Sequence, residues 1–465
     1  MGDQRQAIRE NAQYLRNVRP IDPEEIHEYV EGQPHPGVVR TTLRELAPEL
    51  DLVEREDGTF VPAPDGPVEI DFDGVEAFPE RYARALEDML VETFGPGWPE
   101  GTSGDRLRER LVSLKDAYFD QRSVEYDELT ALAYAIYHLP NTYAATQYVL
   151  ADLAREGRIP SRLRVLDVGA GTGGPAIGLA ELLPDETLVE YHAVEPSANA
   201  DVLERLLSET GRNVHTTIHR ERAESFDPDG AFDLIVFANV LNELAEPATV
   251  LDKYRSALTP DGSVVAIEPA DRNTATGLRR IERAVEDEYT IYAPTCRLWP
   301  DRRPSSDCWS FDRKPDLSIP PFQQRLESAA DGRFESGAFE NVDVQYAVSI
   351  LRTDGAERVE YTPDRSRVIP LGEAESVVTD RVDLVAIKLS HDLADGGNPL
   401  FLVGDGSESE DVFAVLVDDS ALTRPLAEAP YGALLDFQNV LVLWNGDEEA
   451  YNIVVDDETV VDAVV

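Results

Sequence analysis

Lysine is nearly missing from this chain. It occurs at positions 115, 253, 314 and 388 only, so arginine supplies almost all of the 42 basic side chains among 465 residues. Cysteine and methionine are scarcer still, with two of each. Cys296 and Cys308 cannot form a disulfide framework in a chain this long, and such usage fits a reducing compartment. No apolar run approaches the roughly 20 residues needed to cross a bilayer. The opening MGDQRQAIRE has no apolar segment of the signal-peptide kind. A cytoplasmic location with no membrane partner is the expectation.

Acid is what the chain has in abundance: 90 carboxylates and a net charge of −48, spread over every segment rather than gathered in a tail. The composition looks like that of a halophilic archaeal proteome, where dense surface carboxylates keep a protein hydrated in molar salt. Ordinarily this charge would argue against nucleic acid. At about 1 M salt, however, the Debye length is about 3 Å, and local arginine contacts decide. The charge therefore speaks of habitat rather than of partner, and nothing indicates DNA. The length is too great for one ordinary core, and two to four domains are the prior.

The segment Arg164–Gly174, RVLDVGAGTGG, reads as a buried strand that breaks into a glycine loop and then a helix. Such a loop brings backbone N–H groups close to a ligand, and glycine is needed where a Cβ would block the approach or forbid the turn. Gly169-x-Gly171-x-x-Gly174 formally satisfies the dinucleotide fingerprint, with Glu195 about 20 residues on. A purely structural loop and a nicotinamide or flavin site are therefore the alternatives. Three features favour S-adenosylmethionine. Asp167 precedes the glycines in a pattern that resembles methyltransferase motif I, and a carboxylate gains nothing beside a pyrophosphate. YHAVEPSANA reads as a second strand ending in Glu195, placed for both ribose hydroxyls. FDLIVFANVLNEL and LTPDGSVVAIEP look like the fourth and fifth strands of a class I methyltransferase.

Elsewhere the pattern gives four regions. Residues 1–65 read as a winged-helix-like unit: a helix at Asn11–Val18, a second capped by Asp22 with Pro23 at its first position, a third from Pro36, and a hairpin around Asp57-Gly58. Arg40 and Arg44 would face a nucleic-acid groove, or simply solvent. Residues 66–160 form a connector and helical region, and 161–353 hold the doubly wound sheet. Residues 380–465 show five short strands with regular turns, suggesting an OB-like β-barrel. Phe401, Phe413, Phe437 and Trp444 are candidates there for stacking on RNA, or for core. The fold class is thus α/β: a Rossmann-like class I core flanked by winged-helix-like and OB-like modules.

Four segments together resemble one family, the mitochondrial small-ribosomal-subunit methyltransferase-like proteins and their bacterial and archaeal relatives. They are HLPNTYAATQYVLADL (Pro140, Thr142, Tyr143, Ala144 and Ala145 match, with His138 where arginine is usual), VLDVGAGTGGPA with AVEPS, FANVLNEL, and IYAPTCRLWPDRRPSSDCWSF. They cover about 130–353, somewhat under half of the chain. The resemblance implies an S-adenosylmethionine-dependent enzyme acting on small-subunit ribosomal RNA, or an assembly factor that binds the particle without transferring a methyl group. A small-molecule methyltransferase is the third reading. Asp167, Gly169, Gly171, Gly173, Glu195 and Glu224 are the expected cofactor contacts. Asn239 and Glu243, just past the fourth strand, are candidates for the acceptor, or for helix capping and solvated surface. Family members commonly hold an iron–sulfur cluster or other metal on four cysteines. With two in all, Cys296 and Cys308 are remnants, ligands alongside other residue types, buried thiols, or a cytosine-C5-type nucleophile.

Overall fold

The computed structural model describes residues 2–120 and 122–464. The chain divides into two compact units: Met1–Ala238 with Ser256–Ser263 and Pro315–Val344, and Asn239–Arg255 with Val264–Lys314 and Gln345–Val465.

The first unit opens with three helices, α1 (Gly2–Leu15), α2 (Pro23–Tyr29) and α3 (Pro36–Leu50), and an antiparallel hairpin, β1 (Leu52–Glu54) and β2 (Phe60–Pro62). α1 starts well before Asn11, because Ile8, Ala12 and Leu15 already place one face in the core. Asp22 caps α2, accepting the Glu24 N–H at 2.9 Å, and Val39, Leu43, Leu46 and Leu50 of α3 are buried. Arg40 and Arg44 both pair with Glu54 of the hairpin, whose side chain is buried, so neither guanidinium is uncommitted.

Three helices follow: α4 (Glu80–Phe94), α5 (Gly101–Phe119) and the long α6 (Glu128–Arg155). Then strand and helix alternate as β3 (Arg162–Val168), α7 (Gly174–Leu182), β4 (Leu188–Val194), α8 (Asn199–Leu207), β5 (Val214–His219) and β6 (Phe232–Ala238). The four strands are parallel in the order β5-β4-β3-β6, with Val165 opposite both Tyr191 and Leu234. β7 (Leu258–Pro269) begins beside β6, where the Phe232 N–H donates to Ala257 O at 2.7 Å. Val165, Leu166 and Val168 are all buried, as expected of a strand covered on both faces. α7 lies very close to α6. A Cβ at Gly174 would stand 2.6 Å from Thr142 Cβ, and one at Gly178 would stand 2.8 Å from Tyr143 O. The Thr142–Tyr143 segment is thus the surface against which the helix after the loop is seated.

The second unit holds α9 (Pro247–Arg255), the later part of β7, α10 (Arg272–Val285), β8 (Thr290–Ala293), β9 (Asp312–Lys314) and β10 (Val344–Arg352). β10 runs antiparallel to β7, with Ile350 opposite Val265, and to β8. The remaining strands are β11 (Arg381–Lys388), β12 (Leu400–Gly404), β13 (Val412–Leu416), β14 (Leu434–Asn445), β15 (Ala450–Val455) and β16 (Val460–Ala463). Their order, β11-β12-β13-β15-β14 and back to β11, closes a five-stranded barrel with β13 and β15 parallel and β16 added beside β14. This is the OB-like arrangement expected.

The barrel's stacking candidates fare differently. Phe401 and Phe437 point inward among Leu384, Ala386, Val403 and Ile453 and belong to the barrel core. The outward residues Val385, Ile387 and Leu402 are buried as well, because a strap of chain through Leu298 and Trp299, together with Val359 and Val368, lies over them, and Phe413 packs against this layer. Trp444 alone of the four is exposed, at 44 %. The strap is fastened by the Leu298 N–H to Asp405 O at 2.9 Å and by Trp299 Nε1 to Asp405 Oδ2 at 2.7 Å. The outward side of β11 and β12 is thus covered by the chain itself.

Candidate cofactor and acceptor site

The loop after β3 carries Gly169, Gly171 and Gly173 at φ of 74°, 54° and 97°, a region that side chains with a Cβ rarely adopt. The Gly169 N–H donates to Val194 O at 2.9 Å, which ties the loop to the end of β4. Glu195, the next residue, turns back onto it. Its Oε2 accepts the Gly171 N–H at 3.0 Å, and its Oε1 accepts the Ser197 N–H at 2.9 Å and Oγ at 2.5 Å. A carboxylate offers about four acceptor positions, so Glu195 keeps capacity for a ribose hydroxyl while fixing the loop.

Asp167 is fully buried at the end of β3. Tyr191 on β4 donates to its Oδ2 at 2.7 Å, and its Oδ1 is buried without a partner. Burial raises its pKa to about 7, against the opposing effect of the Tyr191 hydrogen bond. A buried carboxylate oxygen with nothing to accept costs free energy that a cationic donor recovers. The methionine ammonium is such a donor, so these residues fit S-adenosylmethionine.

One wall beside the loop is aromatic. A Cβ at Gly171 would stand 4.0 Å from Tyr134 Cε1, and Tyr134 stacks on His138 with ring centroids 4.7 Å apart. Tyr126, Tyr118 and Tyr137 pack edge-on around this pair at 5.7, 5.6 and 5.0 Å. The Ala198 N–H donates to Tyr126 O at 3.3 Å, holding the wall to the turn after Glu195. His138 Nε2 is buried without a partner, and burial drops the imidazole pKa to about 4, so the ring is neutral at physiological pH. Tyr134 does not stand out in the sequence, because α6 reads as an apolar core helix, and His138 stands out only as a departure from the resembled family's arginine.

The other expected residues are placed less centrally. Glu224 sits on an exposed turn five residues beyond β5. In the second unit, Asn239 follows β6 at φ 57° and donates its N–H to Ile267 O at 2.8 Å, while Glu243 is exposed on the turn Leu241–Glu243. Glu268, which the sequence did not single out, is buried at the end of β7. It accepts the Leu241 N–H at 2.8 Å, and burial raises its pKa to about 7.

Cys296 is half-buried and Cys308 buried, and both are free thiols of the second unit. Among the described residues no group of three or more His, Cys, Asp or Glu side chains is arranged to hold a metal ion. Burial pushes both thiols above the usual range, Cys296 most strongly. Thiols held neutral in this way react slowly.

A family model described as a methyltransferase domain matches residues 166–264. Two others, the N-terminal and C-terminal parts of a domain of unknown function (DUF8157), match residues 5–56 and 372–464. Similar curated proteins include a highly reducing polyketide synthase of Emericella nidulans, 23% identical over 41% of this chain, and a non-reducing polyketide synthase of Penicillium brasilianum, 26% identical over 36% of it. The aligned stretch makes up 7% of each synthase. Among solved structures, an S-adenosylmethionine-dependent methyltransferase of Methanococcus maripaludis, described as putative, is 13% identical. It aligns over 37% of this chain and 90% of its own, with a TM-score of 0.31. The Rossmann-like core is a class I S-adenosylmethionine methyltransferase fold. Among the described residues no helix is long and apolar enough to cross a membrane.

Proposed function

We propose that the protein transfers a methyl group from S-adenosylmethionine to a planar acceptor lying against the Tyr134–His138 wall. The observation that carries this reading is the partnerless Asp167 Oδ1, buried beside a glycine loop held open by Glu195. Bound S-adenosylmethionine supplies an electrophilic methyl on its sulfonium. The chain's part is to orient and to exclude water. Asp167 would hold the ammonium and Glu195 the ribose. Tyr134 would stack the acceptor, and neutral His138 would hydrogen-bond its edge through Nε2.

A nucleobase of immature small-subunit ribosomal RNA is the acceptor suggested by the resemblance of His138–Leu153 and Ile291–Phe311, and it makes the small ribosomal subunit the partner. The covered face of the barrel argues that such RNA would not be held there. A small planar metabolite is the second reading, favoured by the polyketide synthases to which the chain is similar.

Methyl transfer from labelled cofactor to immature small subunits in molar KCl tests the first reading, with Asp167→Ala/Glu195→Ala as the control. Label in RNA that the control lacks supports it. Cofactor and particle binding without label would mean an assembly factor, and label only in small phenols or enols would favour the second reading. His138→Phe, which keeps the ring and removes Nε2, should lower turnover about tenfold, the loss of one hydrogen bond to the acceptor, with cofactor affinity unchanged.

A further inference from the structure

The second unit contains a cavity of about 260 Å³ that cofactor binding does not use. α10 contributes Arg279 and Arg283 to its wall, and the strap contributes Thr295, Arg297 and both cysteines. In a chain of net charge −48, three guanidinium groups around one hollow call for an explanation.

The carboxylates nearby do not neutralise them all. Glu282 is taken by Arg279 at 2.5 Å, and Glu286 by Arg297 and Arg303. Glu357, also on the lining, is exposed to solvent. Arg283 donates to Ser306 O at 2.7 Å and, among the described residues, has no carboxylate at ion-pair distance. Two polar atoms on lining side chains are also buried without partners: Arg279 Nε and Thr295 Oγ1, on side chains 1% and 6% exposed. Nearly all buried polar groups find a partner, so an exception calls for a water, a ligand or another explanation. A water molecule could satisfy one of them. An oxyanion accepts from both and balances Arg283 as well.

We propose that this cavity binds a small phosphate-type oxyanion, held by Arg279 Nε, Arg283 and Thr295 Oγ1. The site lies within one unit and does not depend on the methyltransferase reading.

Cys296 and Cys308 are the only cysteines of the chain, and both line the cavity, so thiol labelling of the intact protein reports on this place alone. The full-length protein in phosphate-free KCl would be labelled with a small neutral thiol reagent while inorganic phosphate is titrated in. A parallel arm would use adenosine 5′-monophosphate. Labelling should slow saturably by threefold or more. Tighter protection by inorganic phosphate assigns the free ion, and tighter protection by the nucleotide assigns the phosphoryl end of a larger metabolite. Arg283→Gln should raise the half-saturating concentration about tenfold, as loss of one charged hydrogen bond would. Thr295→Val, which keeps shape and charge, should raise it about threefold and decides the matter if the arginine variant fails to fold. No protection at millimolar phosphate, or protection unchanged in Thr295→Val, would overturn the assignment.

Discussion

The glycine-loop site and the cavity beside the strap both contain buried polar atoms without partners, and the atoms are opposite in kind. At the loop the orphan is an acceptor, Asp167 Oδ1; in the cavity the orphans are donors, Arg279 Nε and Thr295 Oγ1. An unpartnered acceptor in a dry site favours a cationic donor, and unpartnered donors favour an anion. In a chain with a net charge of −48, the two proposals thus give the loop an ammonium and the cavity an oxyanion. Net charge governs solubility and long-range approach, and inside a water-excluded site the nearest few atoms decide.

The comparison breaks most sharply at Glu195. Glu195→Ala strips the Gly171 and Ser197 N–H groups of their acceptor and removes the expected ribose contact. Calorimetry should show S-adenosylmethionine binding weakened about a hundredfold, the loss of two charge-assisted hydrogen bonds. Phosphate protection of Cys296 should stay as in the parent. If both fall together, the substitution has unfolded the protein and the two sites are not separately held.

The converse experiment acts on the strap. Trp299→Phe keeps the ring packed under the barrel face but deprives buried Asp405 of its indole donor, leaving the Leu371 N–H on the same oxygen. A loss of about 1–2 kcal/mol in denaturant-measured stability follows from one hydrogen bond to a buried charge. Thiol labelling should quicken as the strap loosens, with cofactor affinity unchanged.

How far each region could be read from the sequence depends on the range of its contacts. The glycine loop is a local device: three positive-φ positions in five residues, with Asp167 and Glu195 at strand ends, are all set by neighbours in the chain. The same holds for Asp22 with Pro23 and for the buried series Val39, Leu43, Leu46 and Leu50. Tyr191 was not legible as the partner of Asp167, because that hydrogen bond depends on how β4 registers against β3. Tyr134, and the stacking of His138 on it, are not legible because stacking on a ring and filling a core produce the same helical pattern. Phe401 and Phe437 read as stacking candidates or as core, and barrel closure, which fixes the side they face, puts them in the core. The cover over the opposite face is held by Trp299 and Asp405, 106 residues apart. No local pattern encodes such a contact.

The smallest effect is the most discriminating for the loop. Asp167 has its pKa raised from 3.8 to about 7 in the folded protein, so the folded state holds a proton that the unfolded chain releases near pH 4. Its contribution to stability is therefore complete below the unfolded value and is lost as pH rises toward about 7, which makes the cofactor-free protein less stable across that interval. An ammonium placed against Oδ1 wants the carboxylate ionised and pulls the pKa down. Below pH 7 binding must expel the proton, and affinity for S-adenosylmethionine should climb with pH by at most about tenfold per unit before levelling off above 7. Asp167→Asn has no proton to give up, and its titration should be flat. A cofactor affinity that falls as pH rises would mean that Asp167 meets the ligand as a neutral donor. The ammonium would then lie elsewhere, and the contrast between an acceptor-lined loop and a donor-lined cavity would lose its first half.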